Sequence, residues 1–336
     1  MRQNATDVAP GKSTHLESPR CMGMGWRVEG NVWSEIKAAL GGRVVHSEPM
    51  SRHTTLRIGG PADLFVEATS ADDLRDIVLL ARQDKVPYFI LGAGSNLLVS
   101  DAGIRGLVIL NKARQIKFET RDPAKGSTLR VQAESGVILP TLARECIERG
   151  LGGLEWSIGV PGTVGGAVVG NAGAHGSDIA RSLVSAAILD ANGAVRNWSP
   201  AELQFGYRSS VLKSHVARPV VLAAEFGLKP GTPEECEARA AEFTEKRKRT
   251  QPPGATIGSM FKNPPGDYAG RLIEAAGLKG ARAGNAEISN VHANFFVNRG
   301  GARAADMVWL IHLAREQVKA MCGVELELEI QLVGEE

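Results

Sequence analysis

The sequence lacks paired cysteines. It contains 4 cysteines among 336 residues, and no two of them form a Cys-x-x-Cys pair. This spacing argues against a zinc site and against a disulfide framework, and it is compatible with a reducing compartment. The histidines also lack metal-ligand spacing, so we predict no metal site. The residues concerned are Cys21, Cys146, Cys236 and Cys322, and His46, His53, His215 and His292.

The sequence also has no excess of charge and no long apolar run. Lys and Arg number 39 against 37 Asp and Glu, so the formal charge of +2 gives no indication of a nucleic acid as a partner. No apolar run approaches the ~18 residues of a membrane span, and we expect no membrane contact. Residues 1–30 are polar, lack periodicity and carry no apolar secretory stretch, so we expect them to be disordered. These absences predict a cytoplasmic protein.

Glycine, by contrast, is abundant and concentrated in two loops. The first loop is Gly92-Ala-Gly-Ser-Asn96, and the second runs from Pro161-Gly-Thr-Val-Gly-Gly-Ala167 to Asn171-Ala-Gly-Ala-His-Gly176. Glycine lets backbone N–H groups approach a pyrophosphate because no Cβ stands in the way. We therefore predict one large phosphate-bearing cofactor held from two sides.

A Rossmann dinucleotide site is a weak interpretation of the first loop. The segment Gly92–Leu97 lacks a third glycine, and no long helix follows it. Taken alone, its Gly-x-Gly is more typical of a tight turn after a strand than of a cofactor site. The second loop is what favours a cofactor.

Local patterns predict helices and strands around these loops. Asp72–Arg82 has apolar residues at helical spacing, and Val86–Leu91 is typical of a buried strand that runs into the first loop. Asn192-Gly193 lies between two strand-like segments and predicts a hairpin. The residues predicted to form the buried face of the helix are Leu74, Ile77, Val78 and Ala81.

The C-terminal third begins with a linker-like segment, residues 229–234. A helix is predicted from about Glu234 to Arg249; it becomes basic over Lys246–Arg249, and Pro252-Pro253 stops it. Residues 324–333 alternate strictly between apolar and polar, which predicts a strand. A chain of 336 residues is long enough for two or three domains.

Several segments together resemble known families. The two loops, taken with Thr54–Ala62, resemble the FAD-binding domain of the vanillyl-alcohol-oxidase-like flavoproteins. Phe205–Lys213, Gly258–Pro264 and Leu326–Gly334 are similar to the active-site segments of the UDP-N-acetylenolpyruvoylglucosamine reductase family, which completes UDP-N-acetylmuramic acid for peptidoglycan. The resemblance covers residues 54–334 and favours the second type of this family, which lacks a substrate-covering tyrosine loop.

The resemblance implies an α+β fold. A two-part vanillyl-alcohol-oxidase-like FAD-binding region would precede a smaller α/β substrate-binding domain. We expect the first FAD-binding subdomain at 31–105, the second at 106–228 and the substrate-binding domain at 229–336. The last strand, 324–333, would return to the active site.

The resemblance also implies roles for individual residues. Ser259 would donate a proton to the substrate carbon, while Arg208 and Glu329 would bind and polarise the substrate carboxylate. Predicted substrate contacts are Tyr207, Arg247, Lys262 and Asn263. Predicted FAD contacts are Arg57, Ile58, Gly59, Leu91, Gly92, Ala93, Gly94, Ser95, Asn96, Leu97, Pro161, Gly162, Thr163, Gly165, Gly166, Ala167, Asn171, Ala172, Gly173, His175 and Gly176.

Three of these positions bear on how the flavin is held. Ser95 and Asn96 stand in the first loop, where some oxidases of the wider family carry a histidine that binds flavin covalently, so noncovalent FAD is expected. His175 replaces the tyrosine that is usual in Asn-Ala-Gly-Ala-Tyr-Gly, and this departure concerns packing at the flavin edge.

Without the resemblance, each catalytic position has an ordinary structural interpretation. Arg208 would be a surface arginine in a turn, and Ser259 would cap a turn. Glu329 shares its strand face with Glu325, Glu327 and Gln331, so alternation does not select it over Glu327. The run Lys246–Arg249 is either a solvated helix end or a contact for the UDP diphosphate.

The activity implied is NADPH-dependent reduction of UDP-N-acetylglucosamine enolpyruvate by a monomer. Because the sequence has no second dinucleotide fingerprint, NADPH would bind over the flavin face that the sugar nucleotide later occupies. The alternatives are an FAD-dependent alcohol or lactone oxidase of the same fold, which uses O₂ as acceptor, and a flavin- or nucleotide-binding sensor without turnover.

Overall fold

The computed structural model describes residues 36, 38–119, 129–214 and 219–335, so the predicted disorder of 1–30 lies outside the described residues. The strands are Val45–Pro49 (β1), Pro61–Ala68 (β2), Tyr88–Leu91 (β3), Leu97–Val99 (β4), Ile104–Asn111 (β5), Ile116–Glu119 (β6), Leu129–Glu134 (β7), Leu151–Gly152 (β8), Gly173–Ala174 (β9), Ser177–Asp178 (β10), Leu183–Leu189 (β11), Val195–Trp198 (β12), Val220–Pro230 (β13), Ala255–Ser259 (β14), Arg282–Ala283 (β15), Ala286–Ile288 (β16), Phe295–Asn298 (β17) and Gln331–Val333 (β18). The helices are Ala71–Gln83 (α1), Leu139–Ile147 (α2), Val164–Gly170 (α3), Pro200–Leu203 (α4), Val211–Ser214 (α5), Pro233–Thr250 (α6), Ala269–Ala275 (α7) and Ala304–Cys322 (α8).

The first unit is a four-stranded sheet in the order β1-β2-β5-β3 with helix α1 on one face. Strands β2 and β3 both run parallel to β5. Helix α1 begins after Ser70, whose side chain accepts a hydrogen bond from the backbone N–H of Asp73. All four residues predicted for its buried face are buried, which confirms the amphipathic helix. Helix α1 also contacts Leu189, Val220 and Leu222, so it fills the space between the first unit and the second.

The second unit is built on the sheet β12-β11-β13-β7-β6, with strand β8 pairing to β13. The predicted hairpin is confirmed, since β11 and β12 pair antiparallel on either side of Asn192-Gly193. Strand β13 continues to Pro230, and Lys229 pairs with Gly152. The prediction of a linker from Lys229 is therefore wrong for its first two residues, because this backbone extends the sheet.

Helix α6 packs on the second unit. Its residues Cys236 and Ala240 form a small core with Ile147, and Arg239 bonds to the buried Glu155. The sequence-based boundary at 229 separates this helix from the residues against which it packs. We therefore propose that the third unit begins after Thr250.

The third unit is the sheet β14-β17-β16-β15 with helices α7 and α8. Its core includes Leu56 and Ile58 from the first unit. The carboxylate of Asp101, also from the first unit, accepts hydrogen bonds from the backbone N–H groups of Ala304 and Ala305 at the start of α8. The third unit is thus anchored directly on the first.

The C-terminal segment differs from the prediction of a strand over residues 324–333. Only Gln331–Val333 forms a strand, and it pairs in parallel with β4 of the first unit. Before it, Leu328 makes an isolated bridge with Phe261 of the third unit. The segment changes partner between the two units, so its alternating pattern does not correspond to one continuous strand.

Candidate active site

The three units enclose a cleft of about 950 Å³, which is within the range of small-molecule sites. Both glycine loops line it, together with Arg208 from the second unit, Ser259 from the third and Glu329 from the C-terminal segment. Residues predicted from five separate parts of the sequence therefore share one cavity.

The two glycine loops touch each other at the wall of the cleft. The Ser95 hydroxyl donates to the carbonyl oxygen of Pro161 at 3.1 Å. A Cβ added at Gly92 would lie 2.6 Å from the Thr163 hydroxyl oxygen, closer than unbonded atoms allow. The glycine therefore allows the two loops to pack closely against each other. Together they form one stretch of the cleft wall, which is compatible with the phosphate-bearing cofactor that the sequence predicts.

Two backbone N–H groups of the second loop are bonded to another part of the fold. The N–H of Gly165 donates to the Ser135 carbonyl at 2.8 Å, and the N–H of Val164 donates to Val137 at 2.8 Å. These bonds attach the start of α3 to the chain after β7. The N–H of Gly165 is therefore bonded within the fold, while the residue lines the cleft, and its contact with FAD stays a prediction.

Most predicted FAD contacts lie on the cleft wall. They are Gly92, Ala93, Gly94, Ser95, Asn96, Leu97, Pro161, Gly162, Thr163, Gly165, Gly166, Ala167, Ala172, Gly173 and His175. The predicted contacts that do not line the cleft are Arg57, Ile58, Gly59, Leu91, Asn171 and Gly176. Ile58 is buried in the core of the third unit instead. The side chain of Asn171 donates to the Gly206 carbonyl at 3.0 Å and so supports the turn that carries Arg208.

Arg208 and Glu329 form an ion pair in the cleft. The Nε of Arg208 donates to Oε1 of Glu329 at 2.7 Å, and their side chains are 26% and 17% exposed. Arg208 has a φ of +54°, which is uncommon for a residue other than glycine. Hydrogen bonds between Gly206 and Ser209 close the turn around it. The turn therefore directs the guanidinium toward Glu329.

The structure distinguishes Glu329 from its neighbour Glu327. The Glu327 side chain is 71% exposed and pairs with Lys262, whereas Glu329 faces the cleft. The backbone N–H of Glu329 donates to Met260 at 3.0 Å, and its carbonyl accepts from the Asn96 side chain at 3.1 Å. These bonds fix the segment in register with both the third unit and the first loop.

Ser259 is the last residue of β14 and pairs in register with Phe295. Its side chain lies on the cleft wall, and no other described residue accepts or donates a hydrogen bond to its hydroxyl. The position is compatible with a group that acts on a bound ligand.

Of the four basic residues at the end of α6, two line the cleft and two are exposed outside it. Lys246 and Arg247 line the cleft, whereas Lys248 pairs with Glu245 and Arg249 is exposed away from it. Burial lowers the pKa of Arg247, whose side chain packs over Gly159. The sequence interpretation of a solvated helix end thus fits Lys248 and Arg249, and the diphosphate interpretation fits Arg247.

His175 packs against the same helix. Its ring stacks on Phe243 with centroids 4.5 Å apart. Burial, followed by the charges of Arg247 and Lys246, lowers the pKa of His175, so the ring is neutral at neutral pH. The residue that replaces the usual tyrosine therefore keeps an aromatic contact at this wall.

Three predicted substrate contacts do not line the cleft. Tyr207 is 56% exposed, Lys262 pairs with Glu327, and the Asn263 side chain accepts a hydrogen bond from the backbone of Ala269 at 3.1 Å. Their roles in substrate binding stay predictions.

The cleft also contains polar residues that sequence reasoning missed. They are Asn111, Ser135, Lys213, Thr250, Gln251 and Gln331. Asn111 donates to the Ser135 hydroxyl at 2.8 Å. Lys213 is the last residue of the motif that contains Arg208, and its place in that motif was the available signal.

In the described part of the chain, no group of three or more His, Cys, Asp or Glu side chains has the geometry to hold a metal ion. No helix in these ranges is both long enough and apolar enough to cross a membrane.

Comparison with known proteins establishes the family. The chain is 48% identical over 290 residues to UDP-N-acetylenolpyruvoylglucosamine reductase of Rubrobacter xylanophilus, covering 86% of this chain and 94% of that protein. The chain belongs to the UDP-N-acetylenolpyruvoylglucosamine reductase family. The reductase of Chloroflexus aggregans is 45% identical over 291 residues, covering 85% of this chain and 96% of that protein.

Domain and structure comparisons agree with this reductase family. Residues 250–333 match the C-terminal domain of UDP-N-acetylenolpyruvoylglucosamine reductase, and residues 62–199 match an FAD binding domain. The crystal structure of the reductase from Thermus caldophilus superposes with a TM-score of 0.70 at 38% identity, covering 86% of this chain and 98% of that chain. The predicted family and the α+β fold with an FAD-binding region and a C-terminal domain are confirmed.

Proposed function

We propose that this protein reduces UDP-N-acetylglucosamine enolpyruvate to UDP-N-acetylmuramate with NADPH, using noncovalently bound FAD. The observation that carries the proposal is the single cleft in which two glycine loops, Ser259 and the Arg208–Glu329 pair meet. FAD held in this cleft would supply the transfer of a hydride from NADPH to the terminal carbon of the substrate double bond. The residues of the chain supply binding, charge and a proton.

Ser259 is the proposed proton donor to the carbon next to the carboxylate. A side chain at the end of a paired strand is held in a fixed position, which general acid catalysis requires. Because no described residue bonds to its hydroxyl, Ser259 does not have to break a protein contact before it acts.

Arg208 is the proposed carboxylate ligand. Its Nε is bonded to Glu329, and the remaining guanidinium N–H groups can bind a carboxylate in the planar geometry that arginine favours. The ion pair also explains how an acidic residue is tolerated beside an anionic substrate, because the charge of Glu329 is compensated.

NADPH and the sugar nucleotide are proposed to occupy the cleft in turn. The sequence offers no second dinucleotide fingerprint, and the cleft already brings the proposed flavin and substrate residues together. Initial-rate plots should therefore give parallel lines, whereas intersecting lines would favour a ternary complex. Action as a monomer in the cytoplasm stays a prediction.

The decisive experiment follows the flavin absorbance without oxygen. NADPH should bleach the purified protein, and UDP-N-acetylglucosamine enolpyruvate should restore the colour with one product formed per flavin. Bleached protein that is reoxidised by O₂ but not by this compound would favour the oxidase. Protein that NADPH does not bleach would favour the sensor.

The mode of flavin attachment has a separate test. The first loop offers Ser95 and Asn96 and no histidine. Acid precipitation should therefore release the yellow colour into the supernatant. Flavin that stays with the precipitated chain would contradict noncovalent binding.

A further inference from the structure

Lys213 is a charged residue of the cleft to which neither the motif nor the proposed chemistry gives a role. It lies in α5, lines the cleft, and its Nζ donates to the backbone carbonyl of Arg208 at 2.7 Å. Among the described residues, no carboxylate oxygen lies within ion-pair distance of this ammonium group. Lys262 differs, because its ammonium is paired with Glu327.

The Arg208–Glu329 pair carries no net charge, so a further cation would strengthen the binding of an anionic substrate. The guanidinium and the carboxylate are 2.7 Å apart, so their charges cancel. A substrate carboxylate placed beside them adds one negative charge, and hydride addition to the conjugated double bond adds negative charge again. A neutral pair stabilises such an anion weakly in a site shielded from water.

Lys213 is close enough to this pair for both charges to act on its ammonium group. Burial is the main cause that lowers the pKa of Lys213, and among the smaller causes Arg208 adds to the lowering while Glu329 opposes it. Lys213 also keeps ammonium hydrogens beyond the one that it donates to Arg208, since lysine has three.

We propose that Lys213 supplies the net positive charge with which the Arg208–Glu329 pair accepts the substrate carboxylate. Its bond to the Arg208 carbonyl also holds the turn that carries the guanidinium. The inference rests on the proposed function, because it takes the enolpyruvyl compound as the ligand. In chemical terms, Lys213 makes the site selective for a sugar nucleotide that bears a carboxylate over the same nucleotide without one.

This charge should disappear at lower pH than that of an ordinary lysine. Burial is the main cause that lowers the pKa of Lys213, followed by Lys262, while Glu329 opposes the shift. Arg208 adds to the lowering and Glu327 opposes it. The adjacent helix α4 carries Glu202, which bonds to Ser199. Carboxylate binding should therefore be complete below the pKa of Lys213 and weaken as pH rises through it.

The test compares two ligands on the oxidised, FAD-loaded protein, where no turnover occurs. UDP-N-acetylglucosamine enolpyruvate carries the carboxylate and UDP-N-acetylglucosamine does not. Perturbation of the flavin spectrum gives Kd for each. Lys213→Met should weaken binding of the first ligand about 10- to 100-fold, as expected for the loss of a charge-assisted hydrogen bond, and of the second less than about twofold.

Two further variants separate charge from structure. Lys213→Arg keeps the charge and should restore most of the preference for the carboxylate ligand. It should also retain that preference at alkaline pH, where the wild type loses it, because arginine does not deprotonate in this range. Lys279→Met, which removes a lysine paired with Glu274 outside the cleft, should match the wild type.

Each outcome decides between defined alternatives. Lys213→Met could weaken the binding of both ligands equally, or could prefer the carboxylate ligand as strongly as the wild type does. Either result overturns the role of Lys213 while leaving the proposed function intact. A wild type that binds neither ligand overturns the proposed function and this inference with it. The inference is also contradicted if the preference of the wild type for the carboxylate ligand does not change up to high pH and equals that of Lys213→Arg.

Discussion

The Nε of Arg208 donates to Oε1 of Glu329 at 2.7 Å, although 121 positions separate the two residues in the sequence. This bond joins a turn of the second unit to the C-terminal segment. The segment is itself tied to the first loop through Asn96 and to the third unit through Met260. The geometry of this proposed catalytic pair thus depends on the relative placement of all three units.

Ser259→Ala should separate the two half-reactions. Reduction by NADPH places no proton on the substrate carbon, so bleaching of the flavin should proceed at close to the normal rate. Reoxidation by the enolpyruvyl compound requires that proton, and loss of a positioned general acid costs ~10² to 10⁴ in rate. Stopped-flow absorbance under anaerobic conditions measures both steps. Normal reoxidation of the variant would show that Ser259 is a turn residue.

The basic end of α6 provides a matched pair of variants. Arg247 is partly buried in the cleft, whereas Arg249, two residues later, is exposed outside it. Arg247→Ala should raise the KM for the sugar nucleotide about 10-fold, the scale of a charge-assisted hydrogen bond, and Arg249→Ala should change it less than about twofold, as for an exposed charge. Steady-state kinetics with the sugar nucleotide varied gives both values. Equal effects of the two substitutions would favour a nonspecific attraction by the helix end.

Gly92→Ala should reduce the affinity for FAD. The added Cβ would stand 2.6 Å from the Thr163 hydroxyl oxygen, so the Thr163 side chain or one of the two loops has to shift. Overpacking of this size costs ~1 to 3 kcal/mol, which corresponds to a Kd for FAD about 5- to 150-fold higher.

Fluorescence titration of the apoprotein with FAD checks this value. The double variant Gly92→Ala/Thr163→Ala should regain part of the affinity, because it removes the hydroxyl that the new Cβ meets. Gly42→Ala is the control, since no described atom lies within 4 Å of its added Cβ. An unaltered Kd in Gly92→Ala would mean that the contact between the loops does not shape the flavin site.

The parts of the fold with local signals were predicted correctly from the sequence. Helix α1 has its apolar residues at helical spacing, and the β11–β12 hairpin has an Asn-Gly turn, so a few adjacent residues are sufficient to specify each. The glycine loops and Ser259 were placed through family resemblance, and the structure brings them to one cleft.

The parts that depend on distant partners were not predictable in this way. Alternation alone places Glu327 and Glu329 on the same strand face. What distinguishes them is their partners, because Glu329 pairs with Arg208 and Glu327 pairs with Lys262. Residues 324–333 alternate like a strand, yet their partners lie in two different units. The motif that contains Arg208 marks the position of Lys213, but its proposed role was not predictable, because that role depends on the charge of the pair that Arg208 forms with Glu329.

Glu287 provides a test of stability away from the cleft. Its side chain is 1% exposed and accepts hydrogen bonds from Arg299 and Arg282. Bonding to Arg299 is the main cause that lowers the pKa of Glu287, and Arg282 contributes. A carboxylate with a lower pKa in the folded state stabilises the fold above its unfolded-state pKa, and this contribution is lost as pH falls through the folded-state pKa.

Glu287→Gln should therefore lower the free energy of unfolding by about 1 to 3 kcal/mol at pH 7, because it replaces charge-assisted hydrogen bonds inside a sheet. The difference from the wild type should shrink as pH falls below the usual range of a glutamate, since the wild-type carboxylate then becomes neutral as well. Urea unfolding at several pH values measures both effects. Glu274→Gln, which alters a 58% exposed carboxylate paired with Lys279, should cost less than about 1 kcal/mol. A difference between wild type and Glu287→Gln that stays constant down to pH 3 would show that the ionic form of Glu287 contributes nothing to stability.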